Sequence, residues 1–275
     1  MKALSLVLLL SVMALAAAAA PVVVDEMPNA DMAMAFAREV GRRLDVPGEE
    51  QIGYAERLQE ALARAGLIDL SSQYVVVVDR SPAIQAVFIY WRSPQRNWHF
   101  VGASPASTGR PGTYEHFMTP LGVFVHSPTN MDFRAEGTRN ELGIRGYGVA
   151  GMRVFDFGWV IADRGWGPPG RSPMRLQMHA TDPDLLEPRL GEARSEGCIR
   201  IPAALDDFID RYALLDADYE SAAAQGRILP VLRQDRRPTP WAGRYLVVID
   251  SERRARPAWS PSPAKRASEL SDGGC

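Results

Sequence analysis

Tyr74-Val75-Val76-Val77-Val78-Asp79 is a run of β-branched residues, and such side chains favour an extended, pleated backbone. Ile84–Trp91 and Trp98–Ser104 continue the pattern. The turn signals Arg80-Ser81-Pro82 and Ser93-Pro94-Gln95-Arg96-Asn97 lie between, so this stretch reads as an antiparallel meander. Ahead of it the apolar spacing is helical over Asp31–Leu44 and Gln51–Leu67. In the second segment Ile52, Ala55, Leu58, Leu62 and Ala65 fall on one predicted face, and Gly66 is a stop signal.

Beyond the meander, Thr119-Pro120-Leu121-Gly122-Val123-Phe124 feeds a further strand, and Ser127–Gly151 is a long polar loop of the kind that is either a lid or disordered. Met174–His179 places His179 at a strand end. Pro202 opens a helix in which Leu205, Phe208, Ile209, Tyr212 and Leu215 share a core face. Arg227–Leu232 and Tyr245–Asp250 read as two last strands, and Ser251–Cys275, rich in Arg, Ser, Pro and Ala, reads as disordered. The expected organisation is mainly β: a leader at 1–20, a linker and helical segment at 21–72, the main domain at 73–233, a C-terminal strand extension at 234–250 and a tail at 251–275.

A chain of 275 residues can bury one sizeable core, and a formal net charge of −2 makes no electrostatic case for nucleic acid. Met1-Lys2, the apolar Leu4–Leu15 and then Ala16–Ala20 have the layout of a signal peptide, with cleavage expected near Ala20. A transmembrane anchor is the rival reading of that segment, and no other stretch is suited to span a bilayer. The expected location is therefore secreted, within a periplasmic cell envelope, with no stable membrane span after processing. Two cysteines, Cys198 and Cys275, are too few for a disulfide framework in an exported chain. Cys198 is open to a catalytic reading and to a plainer one, as a small buried hydrophobe.

His179 stands sixteen positions before Ser195, where Ser195-Glu196-Gly197-Cys198-Ile199-Arg200 forms a compact turn ahead of an apolar run. A thiol becomes an acyl-transfer nucleophile when a base removes its proton. His99, His116, His126 and His179 are all candidates for that base by residue type alone. The arrangement resembles the L,D-transpeptidase (YkuD) family, in which a histidine at this spacing precedes Ser/Thr-His-Gly-Cys and a polar residue, often Arg, lies two beyond the cysteine. His179, Ser195, Gly197, Cys198 and Arg200 fall on that pattern, whereas Glu196 stands where the family usually has a second histidine. Ser107-Thr108-Gly109 and the Thr119–Phe124 segment look like segments that precede the motif in the family. The resemblance thus extends over roughly Tyr74–Leu232.

The resemblance implies a β-sandwich or barrel-like catalytic fold, with a small helical N-terminal segment and one helix after the cysteine. It implies that Cys198 is the nucleophile and His179 its base, oriented by a backbone carbonyl at or near Ala180. Asp182 is a rival orienter and equally a turn former. Gly197 lets the backbone turn tightly so that amide groups can face a developing oxyanion, with Ser195 and Arg200 as further oxyanion or substrate contacts. Glu196 would raise the thiol pKa if close and desolvated; pairing with Arg194 or Arg200, or exposure to solvent, would remove that effect. No metal or organic cofactor is implied, and a zinc site of His179, Glu196 and Cys198 is a weak rival. The implied substrates are peptidoglycan stem peptides, the implied acyl acceptors are amines, envelope proteins among them, and water as acceptor gives an L,D-carboxypeptidase or amidase. The competing class is a non-catalytic envelope binding protein that keeps the fold.

Overall fold

The computed structural model describes residues 27–263, so the expected leader and Cys275 lie outside the described residues. A five-stranded sheet holds β1 (Gln73–Asp79), β2 (Ala86–Arg92), β3 (Trp98–Pro105), β4 (Gly122–Val125) and β9 (Tyr245–Ile249) in the order β3-β2-β1-β9-β4. A four-stranded sheet holds β5 (Phe133–Arg134), β6 (Arg153–Asp163), β7 (Arg171–Ala180) and β8 (Ile199–Ile201), in that order. Among the described residues four α-helices accompany them: α1 (Met27–Glu39), α2 (Gly48–Arg64), α3 (Ala203–Arg211) and α4 (Ala217–Ala224), so two helices, not the expected one, follow the cysteine. The chain is thus sheet-rich with few helices, and none of its described helices is long and apolar enough to cross a membrane.

The valine run lacks a polar alternation because both faces of its strand are covered. Val76 and Val78 join Val87, Ile89, Leu246 and Val248 in a core completed by Leu176, Met178, Ile199 and Ile201 of the second sheet, with Phe36 of α1 and Phe208 of α3. Val75 and Val77 face the other way, into a core closed by Tyr54, Leu58 and Leu62 of α2. Each fully buried side chain of this size contributes about 1.5–3 kcal/mol of transfer free energy.

Several expectations are corrected here. The helical face of α2 is set by Tyr54, whose ring stacks on Phe88 at 4.0 Å and whose hydroxyl donates to buried Asp79 at 2.6 Å. Ile52 consequently points outward and is 64% exposed. The first helix ends at Glu39, just before Val40-Gly41, and not at Leu44. Residues 227–232 are irregular, with a turn at Pro230-Val231, instead of a strand, and Leu229 and Val231 pack on Tyr219 of α4. Tyr245–Ile249 is no extension: it lies between β1 and β4, parallel to the first and antiparallel to the second. The tail is packed as far as Pro263, because Trp259 meets the rings of Tyr54 and Phe88 edge-on at 6.0 Å and Arg256 donates to the carbonyls of Pro82 and Gly191.

A buried ionic cluster fastens the second sheet to α3. Arg153, with no exposed surface, binds Asp132 at 2.7 Å, Asp210 at 3.0 Å and Asp216 at 2.7 Å. His126 donates from Nδ1 to the Leu215 carbonyl at 2.9 Å and from Nε2 to Asp132. With both nitrogens donating it is an imidazolium. Burial acts to lower its pKa, but the Asp132 and Asp216 carboxylates outweigh that and hold it above the usual histidine value.

Candidate active site

Along β7, Leu176 and Met178 turn into the core, which sends Arg175, Gln177 and His179 to the opposite face. β8 runs parallel to β7 with Met178 opposite Ile199 and His179 opposite Arg200. Arg200 therefore shares the face of His179, and so does Cys198, two residues earlier. Cys198 itself lies in the bend that leads directly into β8, two residues before Arg200.

The turn that carries Cys198 is held carbonyl by carbonyl. The Ser195 carbonyl accepts the N–H of Arg110 at 3.0 Å and Nδ1 of His116 at 3.1 Å, and the Glu196 carbonyl accepts the N–H of Phe117 at 3.0 Å. The Gly197 carbonyl accepts the Thr119 hydroxyl at 2.7 Å, and the Cys198 carbonyl accepts the Ser195 hydroxyl. Gly197 is required twice over: its φ is +132°, and a Cβ there would lie 2.8 Å from Met174 Cε and 3.1 Å from Phe117 Cβ. Gly109 is under a similar constraint, since a Cβ would stand 1.9 Å from the Phe117 carbonyl oxygen. The thiol emerges half-buried, with Sγ 3.9 Å from the Arg175 carbonyl.

His179 is fully buried, and its Nδ1–H donates to the Ala180 carbonyl at 2.6 Å. A carbonyl only accepts, so this bond fixes the tautomer and leaves Nε2 as a bare acceptor. Nε2 has no hydrogen-bond partner. Burial pushes the imidazole down to about 4; the Ala180 bond opposes this and the nearby Arg200 charge adds to it. At neutral pH the ring is an unprotonated base.

A second ring of contacts surrounds the pair. Asp156 accepts Arg175 Nε at 2.7 Å and Gln177 Nε2 at 2.9 Å. Tyr147 donates its hydroxyl to Gln177 Oε1 at 3.2 Å and sets its ring against that of His179, with centroids 4.6 Å apart. Tyr147 comes from the long polar loop, which is pinned where Arg145 binds Asp182 and Asp184. The loop is thus an ordered cover on this face of the sheet.

The structure brings His179, Ala180, Ser195, Gly197, Cys198 and Arg200 together. The choice of orienter is settled by geometry: Asp182 accepts the N–H groups of Asp184 and Leu185 as a turn former, and Ala180 holds the imidazole. Ser195 is corrected from a substrate contact to a scaffold, because its hydroxyl is fully buried, donating to Cys198 O while accepting the Gly197 N–H at 3.2 Å. That N–H is therefore already engaged, and the part played by Gly197 is conformational. Glu196 is half-buried, and Arg194 binds Glu192 with Nε at 2.5 Å. His99 packs on Trp91 and His126 sits in the acid cluster, so neither lies at the thiol. His116, one of the four candidate bases, braces the cysteine turn through the Ser195 carbonyl. Thr119, Tyr147 and Gln177 are further residues of the site; the Thr119-Pro120 segment carries a signal for Thr119, and nothing local marks Tyr147 or Gln177. Among the described residues no three His, Cys, Asp or Glu side chains converge on a metal-ion site.

No protein-family model matches the chain, and no curated protein matches it.

Proposed function

We propose that the chain is an exported cysteine acyltransferase of the L,D-transpeptidase type, with that family's two-sheet catalytic fold, acting on peptidoglycan stem peptides in the cell envelope. The observation that carries this reading is the bare Nε2 of a neutral His179 on the same sheet face as Cys198. In the first step the Cys198 Sγ–H proton passes to His179 Nε2 as sulfur attacks the carbonyl carbon of an L-configured centre. The bond to the terminal D residue breaks, its amine leaves with the proton from His179, and a thioester remains on Cys198. An amine acceptor, on a second stem peptide or an envelope protein, then attacks the thioester, with His179 taking and returning the proton. With water as acceptor the same site trims the peptide as an L,D-carboxypeptidase. Neither step draws on a metal or cofactor, and the resemblance assigns Arg200, whose charge lies near the imidazole, to a substrate carboxylate.

The test is to incubate the purified chain with tetrapeptide-bearing muropeptides, with and without an added amine, and to follow products and intact mass. A thioester adduct on Cys198, absent in Cys198→Ala, is expected. Wild-type turnover by Cys198→Ala would remove Cys198 as nucleophile.

A further inference from the structure

We infer that Asp206, on α3 beneath the sheet, is the positioning residue that fixes the tautomer of His179 by holding Ala180. The consequence for turnover rests on the acyltransfer reading above.

The β6–β7 ladder ends with Val154 opposite His179. One residue further out, the main-chain N–H groups of Arg153 and Ala180 are buried, and both are taken by a single side chain. Asp206 Oδ1 accepts from Arg153 at 3.1 Å and Oδ2 from Ala180 at 3.2 Å. Asp206 reaches this point because β8 passes through Pro202 directly into α3, which sets its first turn under the strand ends. The residue is 1% exposed. A buried carboxyl is costly unless its acceptors are used, and here both are used on backbone donors.

What it holds is the unit that aims the base. The Ala180 N–H is bound by Asp206, and the Ala180 carbonyl accepts the His179 Nδ1–H. If Ala180 rotates, that carbonyl leaves the imidazole, and a neutral ring is then free to carry its proton on Nε2, the nitrogen that must accept the thiol proton. A carboxyl suits the place where an amide does not. Burial and the nearby Asp210 push its pKa well above the usual carboxylate range while the two converging N–H donors pull it down, whereas Asn would turn a permanent NH2 toward one of those donors. Asp206 touches neither thiol nor imidazole and acts only through Ala180.

The experiment compares wild type with Asp206→Asn as full chains, reading the His179 imidazole by nitrogen-15 NMR at neutral pH. In the wild type the proton resides on Nδ1; in Asp206→Asn a mixture of both tautomers is expected, with kcat down at least about tenfold and KM unchanged. A purely structural strand cap would lower the melting temperature and leave the tautomer alone. A folded Asp206→Asn chain with the wild-type Nδ1–H tautomer would overturn the inference. If that variant does not fold, Asp206→Ser, which leaves room for a water in place of one oxygen, is read in the same way. The tautomer is read without substrate. A shifted tautomer together with an inactive wild type would therefore sink the acyltransfer reading and keep this one, and an active wild type with an unshifted tautomer would do the reverse.

Discussion

Thr119 holds Gly197 from outside the cysteine turn: its hydroxyl donates to the Gly197 carbonyl at 2.7 Å while accepting the Gly109 N–H at 2.8 Å. One buried hydroxyl thus joins the two glycines whose close approach sets the place of the thiol. Thr119→Val keeps the shape and removes both bonds, leaving a buried N–H and a buried carbonyl unpaired. Urea denaturation should show a loss of about 2 kcal/mol or more, with slower alkylation of Cys198 and substantial recovery in Thr119→Ser. A valine variant as stable and as reactive as wild type would refute this.

Two buried histidines pull stability in opposite directions with pH. His179 is held at about 4 in the fold, against about 6.5 in the unfolded chain. As pH falls through that window the unfolded chain takes up a proton that the folded chain refuses, so stability drops. His126 is raised in the fold. Its contribution is complete below the unfolded value and is lost as pH climbs through the folded one. Denaturation at closely spaced pH should show a shallower acid limb in His179→Gln and a shallower alkaline limb in His126→Gln. Unchanged slopes would contradict the two assignments.

Arg153 pairs with three carboxylates without any contact with solvent, helped by His126 at Asp132 and Arg134 at Asp210. Arg153→Met leaves them facing one another in the interior and should cost roughly 3–5 kcal/mol, the usual penalty for removing one partner of a buried pair. Adding Asp216→Asn to that variant should return part of the loss. A double variant weaker than the single one would show that charge is not the cause.

Trp259 tests the packed C-terminal strap. Its ring closes over Tyr54 and Phe88, and Trp259→Ala should cost about 3 kcal/mol, the low end for removing a packed aromatic. Denaturation of Trp259→Ala matching wild type would mean the strap contributes nothing.

Local pattern made part of this molecule legible. Stiff β-branched residues announced the β1–β3 meander, whereas residue type alone left four histidines open and only the resemblance singled out His179, on β7, beside the turn into β8 that carries Cys198. What escaped depends on partners remote in the chain. Thr119 and Gly197 are 78 residues apart, and the outward turn of Ile52 follows from a bond between Tyr54 and Asp79 that the helical spacing alone does not contain. Trp259 gave no periodic signal, because a lone aromatic docking on a helix and a strand has no repeat to detect. The acid cluster was dispersed in sequence from Asp132 to Asp216 and only the fold assembles it.

The place of β9 has a consequence for how the chain comes to be folded. The first sheet cannot close until residues 245–249 slide between β1 and β4. Before that, each of these two strands presents an unsatisfied hydrogen-bonding edge open to a foreign strand. Such pairing of a late segment with an early one raises contact order and slows folding. A chain cut short of Tyr245 should therefore aggregate instead of settling into a smaller stable fold, even though His179 and Cys198 are both present in it.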